Sequence, residues 1–176
     1  MLLAAALTGC LPEPPTNGFA DIVVTGLPSQ ETAQAVQITH TSQIEQGLMA
    51  KERGGNAEVL AFAAREVEEH TKAAEQLATL MRQIGPAPGW SPLLQEIQDE
   101  SDGDEIRLDK SARKEFDRAY LDAAMLGHSR MLGLIDNILA SPEDDASYRL
   151  YLQRVRITIY RHFITAESLR DSGLVR

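Results

Sequence analysis

Over residues 56–84 apolar positions recur at helical spacing. At about 100° per residue, Val59, Ala63, Ala73, Ala74, Leu77, Met81 and Ile84 share one stripe, while Arg65, Lys72, Glu75 and Arg82 lie away from it. His70 falls at the centre of that stripe and Glu66 one turn earlier, also within it. Three other stretches repeat the pattern. The first, over 29–53, is capped by Ser29 after Pro28 and broken by Gly54 and Gly55; it turns Ala33, Val36, His40, Ile44, Gly47 and Lys51 inward, with Gln43 at the margin. Another begins near 109–111 and runs to 140, with Phe116, Tyr120, Ala124, Met131, Leu134, Ile135 and Ile138 inward and Asp117 and His128 flanking them. The last opens at Pro142 and Glu143 and continues to about 172, with Tyr148, Leu152, Val155, Ile159, His162, Phe163, Ala166 and Leu169 inward.

Between the second and third stretches, Ser91 and Pro92 can cap a short helix through Ile97, and Trp90 is expected to pack onto the body. The acidic run over 96–109 reads as a solvated crossover loop. It is not an EF-hand: with Gly103 at the sixth place, the first is Gln98 and the twelfth Asp109. There is no strand signal of useful length. The pattern therefore predicts an all-α protein, an antiparallel up-down-up-down four-helix bundle over 29–172.

Composition narrows the function classes. The chain has 176 residues, 43% hydrophobic, enough for one packed domain. Its formal charge is −9, and no Lys or Arg precedes Lys51, which argues against a nucleic-acid partner. Cys10 is the only cysteine, so an internal disulfide and a thiolate metal cluster are both excluded.

Cys10 follows the apolar run MLLAAALTG, and Leu7, Thr8, Gly9 and Cys10 resemble the bacterial lipobox. That resemblance implies a signal peptide over 1–9, lipid on Cys10, and a Pro- and Gly-rich tether over 10–28. The expected basic n-region is missing, and the expectation is therefore that the true start lies upstream or that the first residues are missing. Anchoring would then depend on lipid, with the protein in the bacterial cell envelope. Leu11 in place of Asp after the cysteine points to the outer membrane, facing the periplasm.

A wider resemblance spans roughly 38–169. Phe62, Ala63 and Glu69-His70 in the second helix, Phe116-Asp117, Tyr120-Leu121 and His128 in the third, and His162-Phe163, Ala166 and Leu169 in the fourth resemble a bacterial domain family of unknown function. Its members are often labelled predicted outer membrane protein, and the family is thought to be ferritin-like. The resemblance implies a ferritin-like bundle and an envelope location, and it assigns no activity. Gln43 stands where the family often has Glu, and Ile157 where it often has Pro.

The candidate chemistry lies in the inward histidines. A ferritin-like di-iron carboxylate site needs Glu-x-x-His pairs, and the chain has none, which argues against an enzyme of that type. Counted along their helices, His40, His70 and His128 fall about 20 Å down the bundle, with Glu66 one turn above. These four residues can form a metal site, for which zinc or copper suits imidazole, or a polar core layer that fixes helix register. His162 counts to the level of Asp117 and Tyr120 and is expected to pair with one of them as a structural polar group. Two functions remain open: a lipid-anchored, non-catalytic envelope protein that binds an unknown protein partner, or a zinc- or copper-handling bundle.

Overall fold

The computed structural model describes residues 24, 26–86, 89–142 and 145–173. Cys10, the expected signal segment and most of the expected tether lie outside the described residues. The described chain forms five α-helices: α1 (Ser29–Arg53), α2 (Ala57–Ile84), α3 (Pro92–Asp109), α4 (Phe116–Ala140) and α5 (Ala146–Asp171). A single 3₁₀ turn, Arg113–Glu115, leads into α4. No strand occurs among the described residues, and no described helix is long and apolar enough to cross a membrane.

Local chemistry sets the helix ends. The Asn56 side chain accepts from the backbone N–H groups of Glu58 and Val59 at the start of α2. Ser91 accepts from Leu94 N, and Asp145 from Tyr148 N, at the starts of α3 and α5. Each such cap is worth about 1 kcal/mol. At α1 the cap position belongs to Pro28, with no side-chain cap, so Ser29 is the first helical residue instead of the cap.

The expected up-down-up-down order does not hold. Asp117, in the first turn of α4, accepts hydrogen bonds from the backbone N–H groups of Gly55 (3.0 Å) and Asn56 (2.8 Å), where α2 begins. Helices α2 and α4 therefore start at the same end and run parallel. At the opposite end Gln30 donates to Ile84 O, and Arg149 at the start of α5 donates to Leu139 O near the end of α4. The four long helices run up-down-down-up, with antiparallel pairs α1–α2 and α4–α5.

Helix α3 makes this order possible. The acidic segment expected as a solvated loop is an 18-residue helix that carries the chain back along the bundle and packs on α1 and α4. Its inward stripe is Leu93, Ile97, Ser101, Asp104 and Leu108. Buried Asp104 pairs with Arg130 of α4 at 2.6 Å and also with Arg107, so the acid is not left uncompensated. Trp90, expected to pack onto the body, is 67% exposed, and Leu93 and Ile97 are the nearby residues that enter the core. At the other margin, Val24 and Leu27 pack into the lower core, so the body begins before residue 29.

The apolar core is in two parts. One end holds Ala33, Val36, Leu77, Met131, Ile135, Tyr148, Leu152 and Ile159. The other holds Ala50, Val59, Phe62, Ala63, Phe116, Tyr120, Ala124 and Ala166. Between them lies a buried layer of His40, Glu66, His70, His128 and His162.

Candidate metal centre

Three helices supply the layer's central group. Glu66 and His70 are one turn apart on α2 and therefore share its inner face. His128 comes from the middle of α4 and His162 from α5. All four are fully buried, and one ligand atom from each lies within 4.8 Å of the others. His128 Nε2 is 3.2 Å from His70 Nε2 and 3.1 Å from Glu66 Oε2. His162 Nδ1 is 2.7 Å from Glu66 Oε1, and His70 Nε2 is 3.9 Å from Glu66 Oε2.

These atoms are close without being satisfied. The Glu66 oxygens and His162 Nδ1 lie within contact distance of their neighbours without the alignment of a good hydrogen bond, although His128 and His162 are close enough to stabilise the carboxylate. Buried polar groups nearly always find aligned partners, so orphaned atoms gathered at one point call for an explanation. Donor atoms gathered round a shared centre, with only His70 Nε2 and His128 Nε2 at hydrogen-bond distance from each other, fit such an explanation. In a tetrahedral site with bonds of about 2.0–2.1 Å, neighbouring donors are about 3.3–3.4 Å apart. The contacts of 3.1, 3.2 and 3.9 Å lie on either side of that spacing, while His162 Nδ1 is closer to Glu66, at 2.7 Å, and the group spreads to within 4.8 Å, so an ion would draw the donors into place.

Protonation suits the same use. Burial alone would raise the Glu66 pKa, but the imidazoles of His128, His162 and His70 outweigh it and hold the carboxyl well below the usual range. Burial pushes His70 well below its ordinary value. The donor set thus includes an anionic carboxylate and a neutral imidazole, the forms in which these groups bind metal.

Outside this set, two of the histidines are held from behind. His162 Nε2 donates to Glu69 Oε2 at 2.7 Å, and Arg161 holds the same oxygen at 2.6 Å. Glu69 is half-exposed; burial would raise its pKa, but His162 and Arg161 lower it on balance. Glu69 thus holds Nε2 of His162 from outside and turns its Nδ1 toward Glu66, the carboxylate-histidine arrangement common at metal sites. His70 Nδ1 meets His40 Nδ1 at 2.9 Å. A cleft of about 210 Å³ between α2 and α5 reaches the outer edges of His40, His70 and His162, with Lys72, Arg154 and Arg161 exposed at its mouth.

Of the residues picked from sequence, Glu66, His70 and His128 come together as a group. His40 does not join them. It stands behind His70, and its own pKa is pushed down to about 3 by burial and by the imidazoles of His128 and His162. His162 takes its place in the group and pairs with neither Asp117 nor Tyr120. Asp117 caps the α1–α2 turn, while Tyr120 lies beside Phe62, its ring centroid 6.0 Å away. The Tyr120 hydroxyl is buried without a partner, and burial, with Glu66 nearby, raises its pKa well above the ordinary value. Glu69 was not singled out for a site, though the Glu69-His70 and His162-Phe163 pieces of the family resemblance contained both partners of that contact.

The fold and this layer define a helical bundle with a buried histidine–carboxylate centre. The sequence matches the family model described as Domain of unknown function (DUF4142) over residues 24–169, and the chain belongs to that family. No curated protein matches it. No solved structure matches it either.

Proposed function

We propose that this protein is a transition-metal-binding bundle, in which Glu66, His70, His128 and His162 hold one ion of the zinc or copper class. One observation carries the reading: the four donors converge in a buried layer, where the Glu66 oxygens and His162 Nδ1 are not aligned for good hydrogen bonds. Three nitrogens and one oxygen suit zinc, copper or a similar ion better than magnesium or calcium, which favour oxygen donors. The up-down-down-up order with one crossover is also the order of ferritin-like bundles, which supports that kinship. The donor set differs from theirs, since no Glu-x-x-His pair is present, and a binding role is the simpler reading. The lipobox-like run ending at Cys10 supports a lipid anchor in the bacterial envelope, with the metal site on the periplasmic side of the outer membrane.

The test is elemental analysis of purified full-length protein, stripped with chelator and reloaded with zinc or copper. One ion per chain, lost in a Glu66→Gln variant that still folds, is the expected result. A wild-type protein that stays metal-free after reloading returns the layer to a purely structural role.

A further inference from the structure

Behind His70 the polar contacts continue in a single file. His70 Nδ1 meets His40 Nδ1 at 2.9 Å, His40 Nε2 meets the Tyr151 hydroxyl at 2.7 Å, and that hydroxyl donates to the backbone oxygen of Ala73 at 3.2 Å. The file is buried from His70 through His40, is partly buried at its Ala73 end, and links α2 to α1, α1 to α5 and α5 back to α2.

Its far end fixes its direction. A carbonyl oxygen can only accept, and a tyrosine has one hydroxyl proton, so the Ala73 contact uses that proton. The Tyr151–His40 contact must then be supplied by an N–H on His40 Nε2. A neutral imidazole carries one N–H, which leaves His40 Nδ1 bare and makes it the acceptor for His70 Nδ1–H. His70 Nε2 is therefore the nitrogen without a proton, and it is the one that faces His128 and Glu66. Reversing the file would place an N–H on His70 Nε2, in the space a cation would take, and would abandon the bond to Ala73.

Resting on the metal-binding reading above, we propose that His40 and Tyr151 are positioning residues, which set the tautomer of His70 so that its Nε2 lone pair is presented to the ion. His40 thus serves the centre from one shell out, as Glu69 serves it through His162. His70 is set from α1 and α5, while His162 is oriented by its neighbouring carboxylate Glu69.

The test uses the full chain and two measurements. Long-range ¹H–¹⁵N correlation of the imidazoles reads the tautomers directly, and chelator competition reads zinc affinity in the wild type and in Tyr151→Phe, which keeps the ring and removes only the hydroxyl. Expected are the Nδ1–H tautomer at His70 and Nε2–H at His40 in the loaded wild type. Tyr151→Phe should bind one ion with affinity lower by about 10-fold, the low end of the effect of losing a ligand's own outer partner, because Tyr151 acts through His40. Nδ1–H at His40, or wild-type affinity in Tyr151→Phe, overturns the proposal. If the wild type takes no ion, the metal reading fails by itself. The tautomers of the metal-free protein still decide the file's direction, since Nε2–H at His70 would refute it.

Discussion

Replacing Glu66 with Gln keeps the side chain's size and removes the negative charge from the donor group. In the native protein that carboxylate sits 3.1 Å from His128 Nε2 and 2.7 Å from His162 Nδ1, so an ion needs little rearrangement to reach all four donors. An ion present at 100 times its dissociation constant stabilises the folded state by about 2.7 kcal/mol. For a chain of this length about 2–4 °C of Tm accompanies each kcal/mol, which makes the expected rise about 5–11 °C. The assay is thermal unfolding of chelator-stripped protein at graded zinc concentrations. Wild type should show a saturable rise in Tm of that size. Glu66→Gln should unfold cooperatively but show little rise, because a neutral amide oxygen is a poor substitute for the carboxylate. An equal zinc-dependent rise in both proteins would refute the assignment of Glu66 as a ligand.

Asp117→Ala removes the acceptor that holds Gly55 N and Asn56 N and should cost about 1–3 kcal/mol, read as a lower urea midpoint with zinc binding intact. The Glu105 carboxyl is pushed up to about 7 by burial and by Glu45, against a hydrogen bond from Ser42. The folded state therefore holds this proton more tightly than the unfolded chain, and its contribution to stability falls as pH rises from about 4.5 toward 7. Glu105→Gln should remove that part of the decline, seen as a flatter difference between urea midpoints measured at either end of this window. Cys10→Ser should move the protein out of the membrane fraction; an unprocessed variant that stays membrane-bound would refute the lipid anchor.

The long helices were legible because their apolar stripes are long and their ends carry strong signals: Pro28, the Gly54-Gly55 pair, Ser141-Pro142. Helix α3 was not, because two of its five inward positions are Ser101 and Asp104. On its own the segment looks solvated; Arg130, on another helix, joins Arg107 in compensating the buried Asp104. Missing α3 also reversed the topology. A loop between α2 and α4 can return the chain to either end of the bundle, whereas an 18-residue helix spans about 27 Å at about 1.5 Å per residue and delivers α4 to the end where α2 began.

The same reversal explains which site residues the sequence placed at the right level. His128 lies midway along α4, twelve residues from Phe116 and twelve from Ala140, so its depth is unchanged whichever end is counted from. His162 has no such protection. Counted from Pro142 it lies about 30 Å along its helix, but α5 begins at Ala146, and the true distance is about 24 Å. That shift of about one turn lowers it from the Tyr120 level to that of Glu66, which itself sits one turn above His70 on α2. Glu66 is thus the residue that bridges the two levels, one oxygen toward His162 and the other toward His128. His40 had the right depth and the wrong direction. Its ring meets the Nδ1 side of His70 and the hydroxyl of Tyr151, so His70 stands between it and the centre, and helical spacing, which fixes only the face a residue occupies, carries no information about that order.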